Sequence, residues 1–277
     1  MHAYTLAGEP RHYQETKKGA KNPTRPTTIK DIREQKLLPS VTDICKMLSA
    51  PGLEEYKIGQ VIQACFEDTP SANEDISGYK RRIQEKAGAD AAGAADLGTL
   101  IHNSLETYYA RHDLWDGTTK VAMPDGREVP IREFVLPAVI EVDKLGIADK
   151  VCESVAVNAA AGYAGTVDLY GTRATNPRGD KQLVVADFKS KRTKPGQVVE
   201  PIETHPVQIA AYIAALDKPD WSERKEPPEG YNIYISTTEI GRVDVVHYDT
   251  DTISRSQRIF EHLLALWRWR YFDPRQV

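Results

Sequence analysis

Apolar positions along the chain change period halfway. From Leu38 to Leu145 they recur at the three- and four-residue spacing of amphipathic helices, and from Val151 the spacing shifts to the alternation of strands. Ser40 or Thr42 caps a short helix reaching Leu48, Pro51 interrupts it, and Leu53 to Phe66 resumes helical spacing. Further helices are predicted over Asn73–Lys86 and Asp90–Arg111 and, after a turn-rich stretch around Asp125-Gly126, over Ile131–Leu145.

The second half predicts strands over Val151–Asn158, Tyr163–Arg173 and Gln182–Ser190, the last two joined by the turn chemistry of Asn176-Pro177-Arg178-Gly179. They form an antiparallel meander. A helix follows at His205–Leu216, then strands at Tyr231–Ser236 and Arg242–Tyr248 around Gly241, then a closing helix over Thr252–Tyr271. The order β-β-β-α-β-β-α describes an α/β (α+β) core with a central mixed sheet flanked by helices, behind a largely helical first half.

Residues 1–28 carry Pro10, Pro23, Pro26 and several lysines and arginines without a sustained apolar period, which reads as a flexible basic arm. The expected organisation is thus an arm over 1–28, a helical region over 29–150 and a core over 151–277.

Composition narrows the function classes. With 277 residues and 40% hydrophobic positions the chain can bury a large core. Mean hydropathy is −0.49, no apolar run is long enough to span a bilayer, and Met1-His2-Ala3-Tyr4 lacks a secretory pattern, so a cytoplasmic protein with no membrane partner is expected. Cys45, Cys65 and Cys152 are too dispersed for a disulfide framework or a zinc site. A net charge of −4 argues against holding nucleic acid by bulk positive charge and leaves that task to local patches.

The candidate chemistry sits in the predicted hairpin. Asp168 and Asp187 are nearly symmetric about the Asn176–Gly179 turn, so their carboxylates face each other across two strands. Like charges so close raise the titration of one another unless a cation intervenes, and oxygen ligands suit Mg²⁺, with Mn²⁺ as a substitute. Lys189, two residues after Asp187, points to the same face, while Val167, Leu169, Val184, Ala186 and Phe188 fall on the other. Spacing alone admits two readings: a solvated trio in which the lysine neutralises the acids, or a hydrolytic metal site.

Taken with its surroundings, this hairpin resembles the PD-(D/E)xK nuclease superfamily in its RecB-like exonuclease branch. Gly98-Thr99-Leu100-Ile101-His102 resembles that branch's histidine-bearing helix, Gly165-Thr166-Val167-Asp168 its G-x-x-D strand, Asp187-Phe188-Lys189 its D-x-K, and Gln208-Ile209-Ala210-Ala211-Tyr212 its Q-x-x-x-Y helix. Leu38-Pro39-Ser40-Val41-Thr42 is similar to a segment near the start of mitochondrial genome maintenance exonucleases and related phage nucleases.

The resemblance implies a metal-dependent DNA exonuclease working from DNA ends and favouring single strands, in a bacterial or phage-infected cell. It implies His102, Asp168 and Asp187 as metal ligands, Lys189 as catalytic, and Gln208 and Tyr212 as residues that orient Lys189 or grip phosphate. Duplex end resection, flap cleavage, or an inactive DNA-binding module are the alternatives. Some relatives carry a four-cysteine iron–sulfur cluster after the Q-x-x-x-Y helix; with no cysteine beyond Cys152, none is expected here.

Further contacts follow from position. Lys191, Arg192 and Lys194 after the catalytic strand are placed to hold DNA phosphates, as are Ser40 and Thr42 by the resemblance, and Lys80, Arg81 and Arg82 form a second basic cluster. Glu153 and Glu106 are further candidate acids for the metal, although the i, i+4 spacing of His102 and Glu106 equally describes an exposed helix contact. The Trp267-Arg268-Trp269-Arg270 run either stacks on bases or docks its helix onto the core. Residues 40–145 arch over the site if the resemblance extends that far.

Overall fold

The computed structural model describes residues 1–17, 20–48, 51–123, 126–177, 179–216 and 226–272. At the start, Ala3–Tyr4 (β1) is separated from Leu38–Pro39 (β4), its antiparallel partner, by the hairpin of Tyr13–Glu15 (β2) with Thr24–Pro26 (β3) and by helix Ile29–Gln35 (α1). The segment expected as a flexible arm is therefore tied down at its beginning. Ala3 and Tyr4 are buried, and the Tyr4 hydroxyl shares a 3.0 Å hydrogen bond with that of Thr166. The sequence reading missed this because a two-residue strand is too short to show a period.

Ser40 caps Val41–Cys45 (α2), accepting the Asp43 N–H at 3.0 Å. Pro51–Glu67 (α3) packs on Ile76–Ala110 (α4). The two helices predicted over Asn73–Lys86 and Asp90–Arg111 are one, beginning after the Asp75 cap, because the alanine-rich sequence between them contains no proline and glycine alone costs a helix only about 1 kcal/mol. Lys120–Ala122 (β5) and Glu128–Pro130 (β6) form a hairpin whose turn residue Asp125 lies outside the described residues. Arg132–Lys144 (α5) leads into the core.

The core runs Ala148–Asn158 (β7), Tyr163–Ala174 (β8), Lys181–Lys191 (β9), Thr204–Leu216 (α6), Glu229–Ser236 (β10), Val243–Tyr248 (β11) and Thr250–Tyr271 (α7). Arg178, in the predicted β8–β9 turn, lies outside the described residues. Sheet order is β11-β10-β9-β8-β7, with β9 and β10 parallel and the other neighbours antiparallel. The fold is a mixed α/β fold in which this sheet is flanked by helices. A parallel pair needs a crossover, and α6 supplies it. Among the described residues, no helix is long and apolar enough to cross a membrane.

Each face of the sheet covers its own core. Leu183 and Val185 pack with α1, α2, α6 and α7, while Val184, Ala186 and Phe188 pack with α4 and α5. Strand β9 is thus apolar on both sides until Asp187. Slipping its register by one residue would turn Phe188 toward the Asp187 face and drive Lys189 into the α4–α5 core, so the position of the charged pair is fixed by core packing. Val167, expected beside Leu169, packs instead in the α6–α7 core. Trp267 docks α7, buried at 1% exposure, and Trp269 is exposed.

Arg25 on β3 clamps Asp31 of α1 with two 2.7 Å bonds, and Asp31 also accepts the Thr28 N–H and hydroxyl in a capping box. The Arg25 bonds and then those from Thr28 hold this carboxyl well below the usual carboxylate range. Its stabilisation is complete above the unfolded carboxylate's titration near pH ~4 and is lost as pH falls through the folded one. Because Arg25 remains partly solvated, Asp31→Asn is expected to cost about 1–2 kcal/mol at pH 7. Urea melts repeated downward from pH ~4 should show this gap closing.

Candidate active site

Strands β8 and β9 pair from Ala174↔Lys181 to Leu169↔Ala186, and the next residues in that register are Asp168 and Asp187. There the ladder stops. Instead of another backbone rung, the Phe188 N–H donates to Asp168 Oδ2 at 2.8 Å. Beyond this point β9 continues on β10, with Asp187 opposite Asn232 and Lys189 opposite Tyr234, while Ala164 of β8 bridges to Ser40. The parting opens a cleft of about 390 Å³ lined by Asp168, Asp187, Lys189, His102, Gln208 and Tyr212 among others.

Lys189 Nζ lies 2.6 Å from Asp187 Oδ2 and donates to Gln208 Oε1 at 3.3 Å; Gln208 Nε2 in turn donates to the Tyr212 hydroxyl at 2.8 Å. The i, i+4 spacing on α6 aims both side chains at the sheet edge. Burial works against the Lys189 ammonium, but Asp187 and Asp168 outweigh it and hold its titration above the ordinary lysine value. Lys189 is therefore a cation in this cleft.

Two glycines explain the motif spacing. A Cβ on Gly165 would come within 2.6 Å of the Tyr212 ring, and one on Gly98 within 2.4 Å of the Ser190 hydroxyl. Helix α4 thereby approaches β9 closely enough to place His102 Nδ1 3.7 Å from Asp168 Oδ2. On β7, Glu153 takes a left-handed backbone (φ 49°), unusual for a residue with a side chain. His102, Glu153 and Asp168 present donor atoms all within 4.8 Å of one another. Glu106, one turn along α4, is exposed and outside this group.

The profile of the PD-(D/E)XK nuclease superfamily matches residues 77–276, covering every one of these groups. The chain belongs to that superfamily. Its members are metal-dependent nucleases, which makes a nucleic acid the substrate and a divalent cation the cofactor. The nuclease also aligns with the crystal structure of SSO0001 at 15% identity and a TM-score of 0.25, over 82% of this chain and 98% of that one. A comparison with curated proteins finds no match.

The nuclease's donor set fits such a cation: carboxylate oxygens with one imidazole, in a corner where negative charge is undercompensated. Burial, then Asp187, push the Asp168 titration well above its usual range. Burial, then Glu106, push Glu153 up to about 7, and burial lowers His102 below an ordinary imidazole. For Asp168 and Glu153 neighbouring acids add to burial in disfavouring the charged carboxylate, the situation a divalent cation relieves.

Other sequence candidates separate. Ser40 and Thr42 line the cleft. Lys191 and Arg192 line a different hollow of about 300 Å³, where Lys191 donates to the Glu200 carbonyl at 2.8 Å, and Lys194 is exposed on the same loop. Arg82 is engaged by Asp68 and Glu74, whereas Lys80 and Arg81 are exposed. The cysteines are free, with Cys45 buried.

Sequence reasoning missed Asn232. Fully buried, it donates to Asp187 Oδ2 at 2.7 Å and accepts the Tyr248 hydroxyl at 2.8 Å. The signal was an asparagine, a residue depleted in strands, inside the apolar run Tyr231–Ile235. His2, Tyr4 and His12, which also line the cleft, carried no signal.

The grouping of Glu153 but not Glu106 with His102 and Asp168 gives a direct comparison. Outer-shell partners alone are worth about 10–100-fold in metal affinity, so Glu153→Gln is expected to weaken Mn²⁺ binding by about 10-fold or more in a calorimetric titration. Glu106→Gln should leave it nearly unchanged; equal effects of the two would remove Glu153 from the ligand set.

Proposed function

We propose that this nuclease is a Mg²⁺-dependent DNA exonuclease of the RecB-like branch, hydrolysing phosphodiester bonds from free ends and favouring single strands. The observation that carries the reading is the Lys189 ammonium held between Asp187 Oδ2 and Gln208 Oε1 at the mouth of a carboxylate pair. A surface ion pair would have no use for a second acid, a buried asparagine and a glutamine–tyrosine bracket around one lysine.

In this reading His102, Asp168 and Asp187 hold the metal, with Glu153 beside them. The bound cation supplies Lewis acidity at the scissile phosphate and lowers the pKa of an attacking water. Lys189, already desolvated and charged, donates to a phosphate oxygen as negative charge develops there, a preformed interaction that needs no reorganisation. Gln208 fixes the lysine, and Tyr212 fixes Gln208. Asp187 holds both Lys189 and Asn232 on Oδ2, and its Oδ1 would be the oxygen left to help hold a metal.

Support for a single strand comes from the size and lining of the cleft. At about 390 Å³ the cleft lies at the small end of ligand pockets, and β1 and α4 both contribute to its lining. Support for action at ends, for DNA and for Mg²⁺ comes from the matched motifs at Gly98–His102, Asp187–Lys189 and Gln208–Tyr212 and from the oxygen-rich donor set.

The reading is tested with Mg²⁺ and three labelled substrates: linear single-stranded DNA, linear duplex, and a covalently closed single-stranded circle. Loss of the linear strand with the circle spared is expected, and Lys189→Ala should slow it by about 100-fold or more while leaving the circular dichroism spectrum intact. Cutting of the circle would replace the exonuclease reading with an endonuclease, and wild-type rates in Lys189→Ala would remove the lysine from the chemistry.

A further inference from the structure

The cleft that holds the acids is also lined by three rings supplied by the first twelve residues. Tyr4 is anchored through Thr166 and meets His12 edge-on at 5.0 Å. His12 stacks on His2 at 4.3 Å with 16° between the planes. The ladder is rigidly mounted. The Ala3 N–H donates to His12 Nδ1 at 3.2 Å, the His2 N–H donates to Asp43 Oδ2 at 2.7 Å, and β1 is paired to β4. Its last ring, His2, is exposed, so a stack that begins in the core ends on an open aromatic face.

All three rings line the same cleft as Asp168 and Lys189. Among the described residues lining it, Lys189 is the one lysine or arginine, and the chain as a whole carries a net charge of −4. Affinity for a polyanion is usually supplied by released counterions from several cationic contacts. This cleft lacks that set and must hold its substrate by other means. Stacking is the uncharged alternative, and it tolerates any sequence because every base has a π-face. An accepting Nδ1 on His12 further marks that ring as a packing element, not a phosphate-binding cation.

We propose that His2, backed by His12 and Tyr4, is a nucleobase-stacking platform that holds the strand next to the bond being cut. The ligand is a base of single-stranded nucleic acid, unspecified in sequence. This rests on the nuclease reading of the cleft.

The test uses the full chain carrying Lys189→Ala, so that the strand survives, and a fluorescein-labelled oligodeoxythymidylate whose anisotropy reports binding. Adding His2→Ala should weaken binding roughly 5- to 100-fold, and His2→Trp should restore it, since one base–aromatic stack is worth about that factor. An abasic position walked along the strand should find one place that costs the parent a similar factor and costs the His2→Ala protein nothing more. Because His2 is exposed and its anchor is a backbone N–H, the alanine variant keeps the fold; His12→Ala gives an independent second reading with the same expected loss. Affinity within twofold of the parent in both variants, or an abasic scan with no such position, overturns the platform. A wild-type protein that cleaves none of the strands in Mg²⁺ would instead overturn the exonuclease reading, a result separate from the binding data.

Discussion

The hydrogen bond from the Phe188 N–H to the Asp168 carboxylate stands where the β8–β9 ladder would have had its next rung. A backbone donor in this interior must find a partner, and a side chain satisfies it in place of the neighbouring strand. That substitution lets the two strands separate without leaving an orphan N–H, and the separation is the cleft. The rest of the site is arranged around it: β9 stays paired along its other edge with β10, the Ser40 segment bridges to β8 at Ala164, and α4 approaches β9 at Gly98.

The same parting concentrates charge. Asp168 and Asp187 line a cleft in which Lys189 is the one lysine among the described lining residues, Glu153 joins Asp168 and His102 in a tight cluster, and Asp187 is buried at 1% exposure. Buried carboxylates are tolerated only when paired or hydrogen-bonded. Asp187 has both Lys189 and Asn232, whereas burial and then neighbouring acids push Asp168 and Glu153 up. The protein thus compensates Asp187 more fully than its two neighbours, a difference set by which strand each acid occupies.

How much of this was legible depended on periodicity. The β8–β9 register could be read because the apolar alternation of Val184, Ala186 and Phe188 and the turn between the strands both demand it, and Asp168 and Asp187 follow from that register alone. The β-β-β-α-β-β-α order, the Ser40 cap and the α6 helix were legible for the same reason. Tertiary partners were not. Asn232 lies 45 positions from Asp187 and is joined to it only by the parallel crossover. β1 is two residues long, so the composition of its surroundings suggested a free arm. Val167 changed sides where β8 leaves β9, a local departure from alternation that no sequence period announces.

The bond between Tyr4 and Thr166 spans 162 positions and the bond between Asp187 and Asn232 spans 45, so the site is assembled from contacts of high sequence separation. Such contacts form after the loop-closure entropy has been overcome, which places them late in folding. A nascent chain extended only through β9 already contains both aspartates and the lysine, yet Gln208, Tyr212 and Asn232 have still to be made. Loose or half-synthesised chains therefore lack the bracket around Lys189, and the arrangement of the cleft is coupled to completion of the native topology.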